Sequence, residues 1–101
     1  MERPLESYGF FRALCALPFV EAVWLFGSRA RGTARARSDV DLAILCPGAS
    51  EAEWGEVLRI VEEPDTLLAI DVVRFDALAA DDPLRASILR AHRPVFERAH
   101  A

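Results

Sequence analysis

Three short, mostly apolar runs, residues 19–26, 40–46 and 67–75, most constrain what this chain can fold into. Each is short for a helix and rich in Val, Ile, Leu or Phe, so each reads as a buried strand. Gly27-Ser28 breaks the first and Pro47-Gly48 ends the second. Segments of helical spacing lie around them. Leu5, Tyr8, Phe11, Leu14 and Cys15 mark a helix over residues 5–17 that Pro18 ends. Ser50-Glu51-Ala52-Glu53 is a capping box, in which hydroxyl and carboxylate each satisfy an orphan N–H. Behind it Trp54, Val57, Leu58 and Val61 form an inner stripe, with Glu56, Arg59 and Glu63 facing away. Asp82 as N-cap and Pro83 at the first helical position open another helix, with Leu84, Ile88 and Ala91 inward. Pro94 stops it, and residues 95–97 add a short edge strand. Ser28 is the expected N-cap of a short helical turn, residues 32–38 read as a polar, Arg-rich loop, and residues 98–101 as a frayed tail. This alternation predicts a single domain, residues 1–101, of the α/β (α+β) class, with a small mixed β-sheet flanked by helices.

Composition removes several classes of function. Hydrophobic residues make up 52%, which excludes a disordered chain. No apolar run approaches the roughly 20 residues of a membrane span. The start Met1-Glu2-Arg3-Pro4 does not read as a secretory signal, so a cytoplasmic location and no membrane partner are expected. The net charge of −4 argues against nucleic acid as a partner, since a nucleic-acid binder carries a basic footprint. Cys15 and Cys46 are far apart with no His beside them, which predicts reduced, buried thiols and no zinc site.

Three acids are out of place in this pattern. Asp39 and Asp41 flank Val40 at the head of an apolar strand, and residues two apart on a strand share a face. Two adjacent carboxylates repel unless a cation sits between them. Asp71 lies inside Leu67-Leu68-Ala69-Ile70-Asp71-Val72-Val73, where a lone charge is costly to bury. If the two strands are neighbours, the three carboxylates form a hard oxygen site suited to Mg²⁺, and a pair of such ions can clamp both oxygens of a phosphoryl transfer. The alternatives are a solvated strand start for Asp39 and Asp41, and a solvent-facing or Arg-paired position for Asp71. Upstream, Gly27 allows close backbone approach, and Ser28 with the N–H groups after it can hold phosphate oxygens. Arg29, Arg31, Arg35 and Arg37 lie between Gly27 and Asp39 with no acid among them. They serve either as a phosphate clamp or as a solvated loop.

Gly27-Ser28-Arg29-Ala30-Arg31-Gly32 followed by Ser38-Asp39-Val40-Asp41-Leu42 resembles the Gly-Ser, ten residues, Asp-x-Asp signature of the DNA polymerase β-like nucleotidyltransferase superfamily. The length and the Asp71 strand are similar to its minimal nucleotidyltransferase branch, the catalytic palm alone, and the resemblance covers about residues 19–75. It implies Asp39, Asp41 and Asp71 as ligands of two Mg²⁺ ions, with Asp71 as a base toward an acceptor hydroxyl. It implies Gly27 and Ser28 at the β- and γ-phosphates of ATP or another nucleoside triphosphate, with Arg29 and Ser38 completing the nucleotide site. The reaction would be attack on the α-phosphorus with release of pyrophosphate. Members this small resemble the antitoxin of a toxin–antitoxin pair whose partner is an all-helical HEPN-type ribonuclease toxin, and some transfer AMP to a tyrosine of that toxin. The alternative is a non-catalytic antitoxin that neutralises its helical partner by forming a complex. Larger relatives carry an additional domain, so base and acceptor selection would fall to a partner or a homo-oligomer. Outside the motif, Arg74 is expected in a surface ion pair, His92 as a cap on helix carbonyls, and Trp24 and Trp54 in the core.

Overall fold

A computed structural model describes residues 4–32 and 39–98. In chain order these form α1 (Gly9–Ala16), β1 (Ala22–Phe26), α2 (Ser28–Arg31), β2 (Val40–Leu45), α3 (Glu51–Glu62), β3 (Ile70–Arg74), α4 (Pro83–Arg90) and β4 (Arg93–Glu97). The four strands make one mixed sheet in the order β3-β2-β1-β4. β1 is antiparallel to β2 and to β4, and β2 is parallel to β3. A mixed α/β architecture with helices against a small sheet is what the alternation of runs predicts.

The two faces of the sheet pack differently. Val23, Leu25, Val40, Leu42 and Ile44 join Leu5, Tyr8, Phe10, Phe11, Leu14 and Val57 in the principal core. On the other face Ala43 packs with Phe75 and Ile88, flanked by Trp24, Phe26, Leu45 and Leu78. Period-2 alternation along β1 and β2 sorts residues between these clusters.

Several elements differ from their expected limits. The first helix is a 3-10 turn, Leu5–Ser7, followed by α1, because Tyr8 between them is extended. Tyr8 makes no side-chain bond to cap α1. Asp65, 56 residues along the chain, does so instead, its Oδ2 accepting from the Gly9 N–H (2.8 Å) and its Oδ1 from the Phe10 N–H (3.0 Å). The capping box of α3 forms in both directions between Ser50 and Glu53. The inner stripe of α3 is rotated, however. Leu58 is exposed, and Ile60 packs on the core beside Trp54, Val57 and Val61. The reason is that α3 leans on α1 and β3, which covers its Ile60 side.

β3 starts at Ile70, and Leu67 is fully exposed. Asp82 caps α4, accepting from the Leu84 N–H (2.8 Å), with Pro83 in the first turn. Of the expected α4 stripe Ile88 is buried, whereas Leu84 is exposed. β4 contains Pro94, which an edge strand tolerates, and the register against β1 slips there between Val23 and Trp24. His92 Nδ1 donates to the Ile88 carbonyl (2.8 Å), as expected, and its ring stacks on Trp24 with centroids 4.1 Å apart. Cys15 and Cys46 form no disulfide.

The tail reading is corrected at Arg98. Its Nε donates to the Val20 carbonyl and its Nη2 to the carbonyls of Cys15 and Leu17, each at 3.0 Å. Its own N–H bonds the Glu21 carbonyl at 2.8 Å. These carbonyls are left over where α1 ends and the chain turns into β1, so a long Arg side chain is a suitable donor for all of them. Residues 99–101 lie outside the described residues. Among the described residues, no helix is long and apolar enough to cross a membrane.

Candidate active site

The sequence motif converges where β1 ends and β2 and β3 begin. Gly27 follows β1 at φ 75° and ψ −154°, a conformation that a side chain disfavours. It, and not Ser28, is the N-cap of α2, so Ser28 becomes the first helical residue. A Cβ at Gly27 would also collide with Oδ2 of Asp41. Glycine is therefore required twice here, by backbone conformation and by the carboxylate packed over it. Gly32 closes α2 in the left-handed conformation at φ 77°.

Asp41 pairs with Phe26 across β1 and with Asp71 across β3. Directly paired residues project to the same side of a sheet, so the two carboxylates stand side by side on the face that carries Ala43 and Trp24. The register adds Phe26, at the end of the first apolar run, to the surroundings of Asp41. Asp39 is exposed and immediately precedes β2. Burial pushes Asp41 above the ordinary carboxylate range, the charges of Asp71 and then Asp39 push it further, and Arg31 and Arg29 oppose them. That balance describes a group short of positive charge.

Among the described residues, no three His, Cys, Asp or Glu side chains are grouped closely enough to hold a metal ion by themselves. Asp41 and Asp71, adjacent across β2 and β3, are nevertheless hard oxygen donors of the kind a divalent cation takes, and Asp39 stands immediately before the same strand as Asp41.

The other expected site residues fall into three groups. Gly27 and Ser28 lie directly after β1, with Gly27 against Asp41. Arg29, expected at the phosphates, is buried, and its Nε donates to the Asp39 main-chain carbonyl (3.3 Å). Ser38, Arg35 and Arg37 lie outside the described residues. Arg74, expected in an ion pair, lies near Glu51 (3.9 Å) and over the Trp54 ring, with its Nη2 donating to the Ala49 carbonyl at 2.6 Å. A concavity of about 450 Å³ bounded by Pro47, Phe75, Asp76, Leu78, Ala80 and Arg85 contains none of the three acids.

Comparison with known proteins gives the following. The family described as "Polymerase beta, Nucleotidyltransferase" matches residues 13–101. A crystal structure of a toxin–antitoxin with AMP-PNP aligns at a TM-score of 0.64 and 19% identity, over 88% of this chain and 68% of that one. A structure from Sulfolobus solfataricus, assigned as a nucleotidyltransferase, aligns at a TM-score of 0.60 and 22% identity, over 88% of this chain and 75% of that one. At these identities the likeness shows the fold. No curated protein sequence matches the chain.

Proposed function

The chain belongs to the polymerase β nucleotidyltransferase family, and from that premise we propose that it transfers a nucleoside monophosphate, AMP from ATP, to a hydroxyl on a protein partner. The observation that carries this reading is Asp41 packed over the bare backbone of Gly27, with Asp71 in register beside it. Asp39, Asp41 and Asp71 would hold Mg²⁺, which supplies Lewis-acid stabilisation of the charge on the transferring phosphoryl group. Gly27 and Ser28, with Ser38, would receive the β- and γ-phosphates. Gly27 suits this because nothing projects from it toward a ligand. Asp71 would take the proton of the acceptor hydroxyl, whose oxygen forms the new bond to the α-phosphorus as the bond to pyrophosphate breaks. Adenine is chosen because the toxin–antitoxin neighbour holds AMP-PNP, and the same neighbour supports a toxin as acceptor. That this toxin is of the all-helical HEPN type rests on the resemblance of the sequence to minimal nucleotidyltransferases. A cytoplasmic site of action follows from that reading.

That neighbour also favours a second reading, an antitoxin that silences its partner by occlusion without transfer. Intact-mass spectrometry of the protein co-expressed with its adjacent gene product separates the two. Wild type with ATP and Mg²⁺ is expected to add one or more AMP masses to the partner, and Asp41→Ala none. A stable complex with no mass gain in either sample would leave occlusion as the function.

A further inference from the structure

Arg29 is the charged side chain that the fold buries among the described residues, at 7% exposure, and its Nη1 is shut off from solvent. Arginine is rarely buried unless the protein engages it. Arg31, two residues on, is exposed. Arg29 therefore points into the molecule from a turn whose other arginine faces out.

What it reaches is the Asp39 carbonyl, at 3.3 Å from Nε. The N–H of the same peptide unit, that of Val40, donates to the Ala69 carbonyl at 2.9 Å. The peptide joining Asp39 to Val40 is thus held from both sides, by α2 through Arg29 and by the residue before β3 through Ala69. The Cα atoms of Asp39 and Val40 lie in the plane of that peptide, so holding the plane from both sides restricts where the Asp39 side chain starts relative to β2 and Asp41.

We infer that Arg29 is a positioning residue that clamps the Asp39–Val40 peptide and so sets the Asp39 and Asp41 carboxylates in one relative orientation before a metal–nucleotide complex arrives. This rests on the nucleotidyltransferase reading above. It takes Arg29 out of the set of phosphate contacts and has it act through Asp39. Lysine is a poor replacement, because its ammonium is a strongly hydrated point charge on a flexible stem and has no counterpart of the Nε–H that bonds the Asp39 carbonyl.

The test compares wild type with Arg29→Lys and Arg29→Met, using circular dichroism for folding and Mn²⁺ as a spectroscopic metal probe. ATP affinity is measured without metal, and kcat and KM for transfer with it. Arg29→Lys, which fills similar space, carries the test if Arg29→Met fails to fold. The expected result for a folded Arg29→Lys is Mn²⁺ affinity lowered about 10–100-fold, the range for groups that orient metal ligands. Metal-free ATP affinity should stay within about twofold, and kcat should fall with KM little changed. Loss of ATP affinity with Mn²⁺ binding intact would overturn the inference and return Arg29 to the phosphates. A folded variant equal to wild type in every readout would make Arg29 a packing residue only. If wild type itself bound neither Mn²⁺ nor ATP, the nucleotidyltransferase reading and this one would fall together.

Discussion

Successive residues of β2 serve two different surfaces. Val40, Leu42 and Ile44 are at most 1% exposed and lie among the core side chains of β1, α1 and α3. Asp41 projects the other way, beside Asp71 and over Gly27. On the first face each fully buried apolar side chain contributes about 1.5–3 kcal/mol. On the second, like charges are brought together and Asp41 is held above the ordinary carboxylate range by burial, then by Asp71 and Asp39. The principal core lies on one side of the sheet. The other side has its own smaller apolar cluster around Ala43, Phe75 and Ile88, and beside it, where β2 begins, it carries charges that a cation would relieve.

The contrast can be broken hardest at Leu42. Leu42→Ala should cost about 3–5 kcal/mol, read as a lower urea midpoint with an unchanged slope. A cost below about 1 kcal/mol would mean that this face is not where stability resides.

Gly27→Ala comes next, at about 2 kcal/mol for the positive φ. Because the new methyl also displaces the Asp41 carboxylate, nucleotide binding should be lost while the circular dichroism spectrum stays intact. Unaltered ATP binding would separate Gly27 from the acids.

Arg98→Met tests whether the core face depends on the chain's end. The carbonyls of Cys15, Leu17 and Val20 lose their donor, for about 1–2 kcal/mol in thermal unfolding and no change in ATP affinity.

The smallest effect has the opposite sign. A carboxyl group whose folded value is raised binds its proton more readily in the folded state. Stability therefore falls as pH rises from the ordinary carboxylate value through the raised one, and stays lower above it. Asp41→Asn removes that charge, so its melting temperature at pH 7 should exceed that of metal-free wild type by a few degrees, corresponding to about 1 kcal/mol or less. The gap should close as pH approaches about 4. Mg²⁺ with ATP should raise wild type and not the variant, since a ligand stabilises only the state that binds it. A variant less stable than wild type at pH 7 would remove the claim that the acid face is held under repulsion.

Much of this organisation was legible in the sequence, for local reasons. The capping box at Ser50 and Glu53, and the Asp82-Pro83 start of α4, use side chains within four residues of the groups they satisfy. The position of Asp41 on the face opposite Val40, Leu42 and Ile44 follows from strand pleating alone. Three side-chain contacts have partners that local spacing does not specify. Asp65 caps α1 across 56 residues, Arg98 ties the end of the described chain to α1 and the start of β1, and Arg29 turns inward to Asp39. Leu58, expected inward, is exposed while Ile60 packs on the core, because helical period defines an apolar sector and the neighbouring elements decide which part of it is covered.

By itself the sequence determined the mixed α/β class, the family signature from Gly27 to Asp41, and which acids were anomalous, because period, turn chemistry and spacing are properties of neighbouring residues. Only the tertiary structure decided that β3 lies parallel beside β2 with Asp71 in register with Asp41, that Gly27 is the residue over which Asp41 packs, and that Arg29 is buried. Strand order and long-range hydrogen bonds depend on which surfaces meet once apolar residues leave water. That choice is made by the whole chain, so no local pattern carries it.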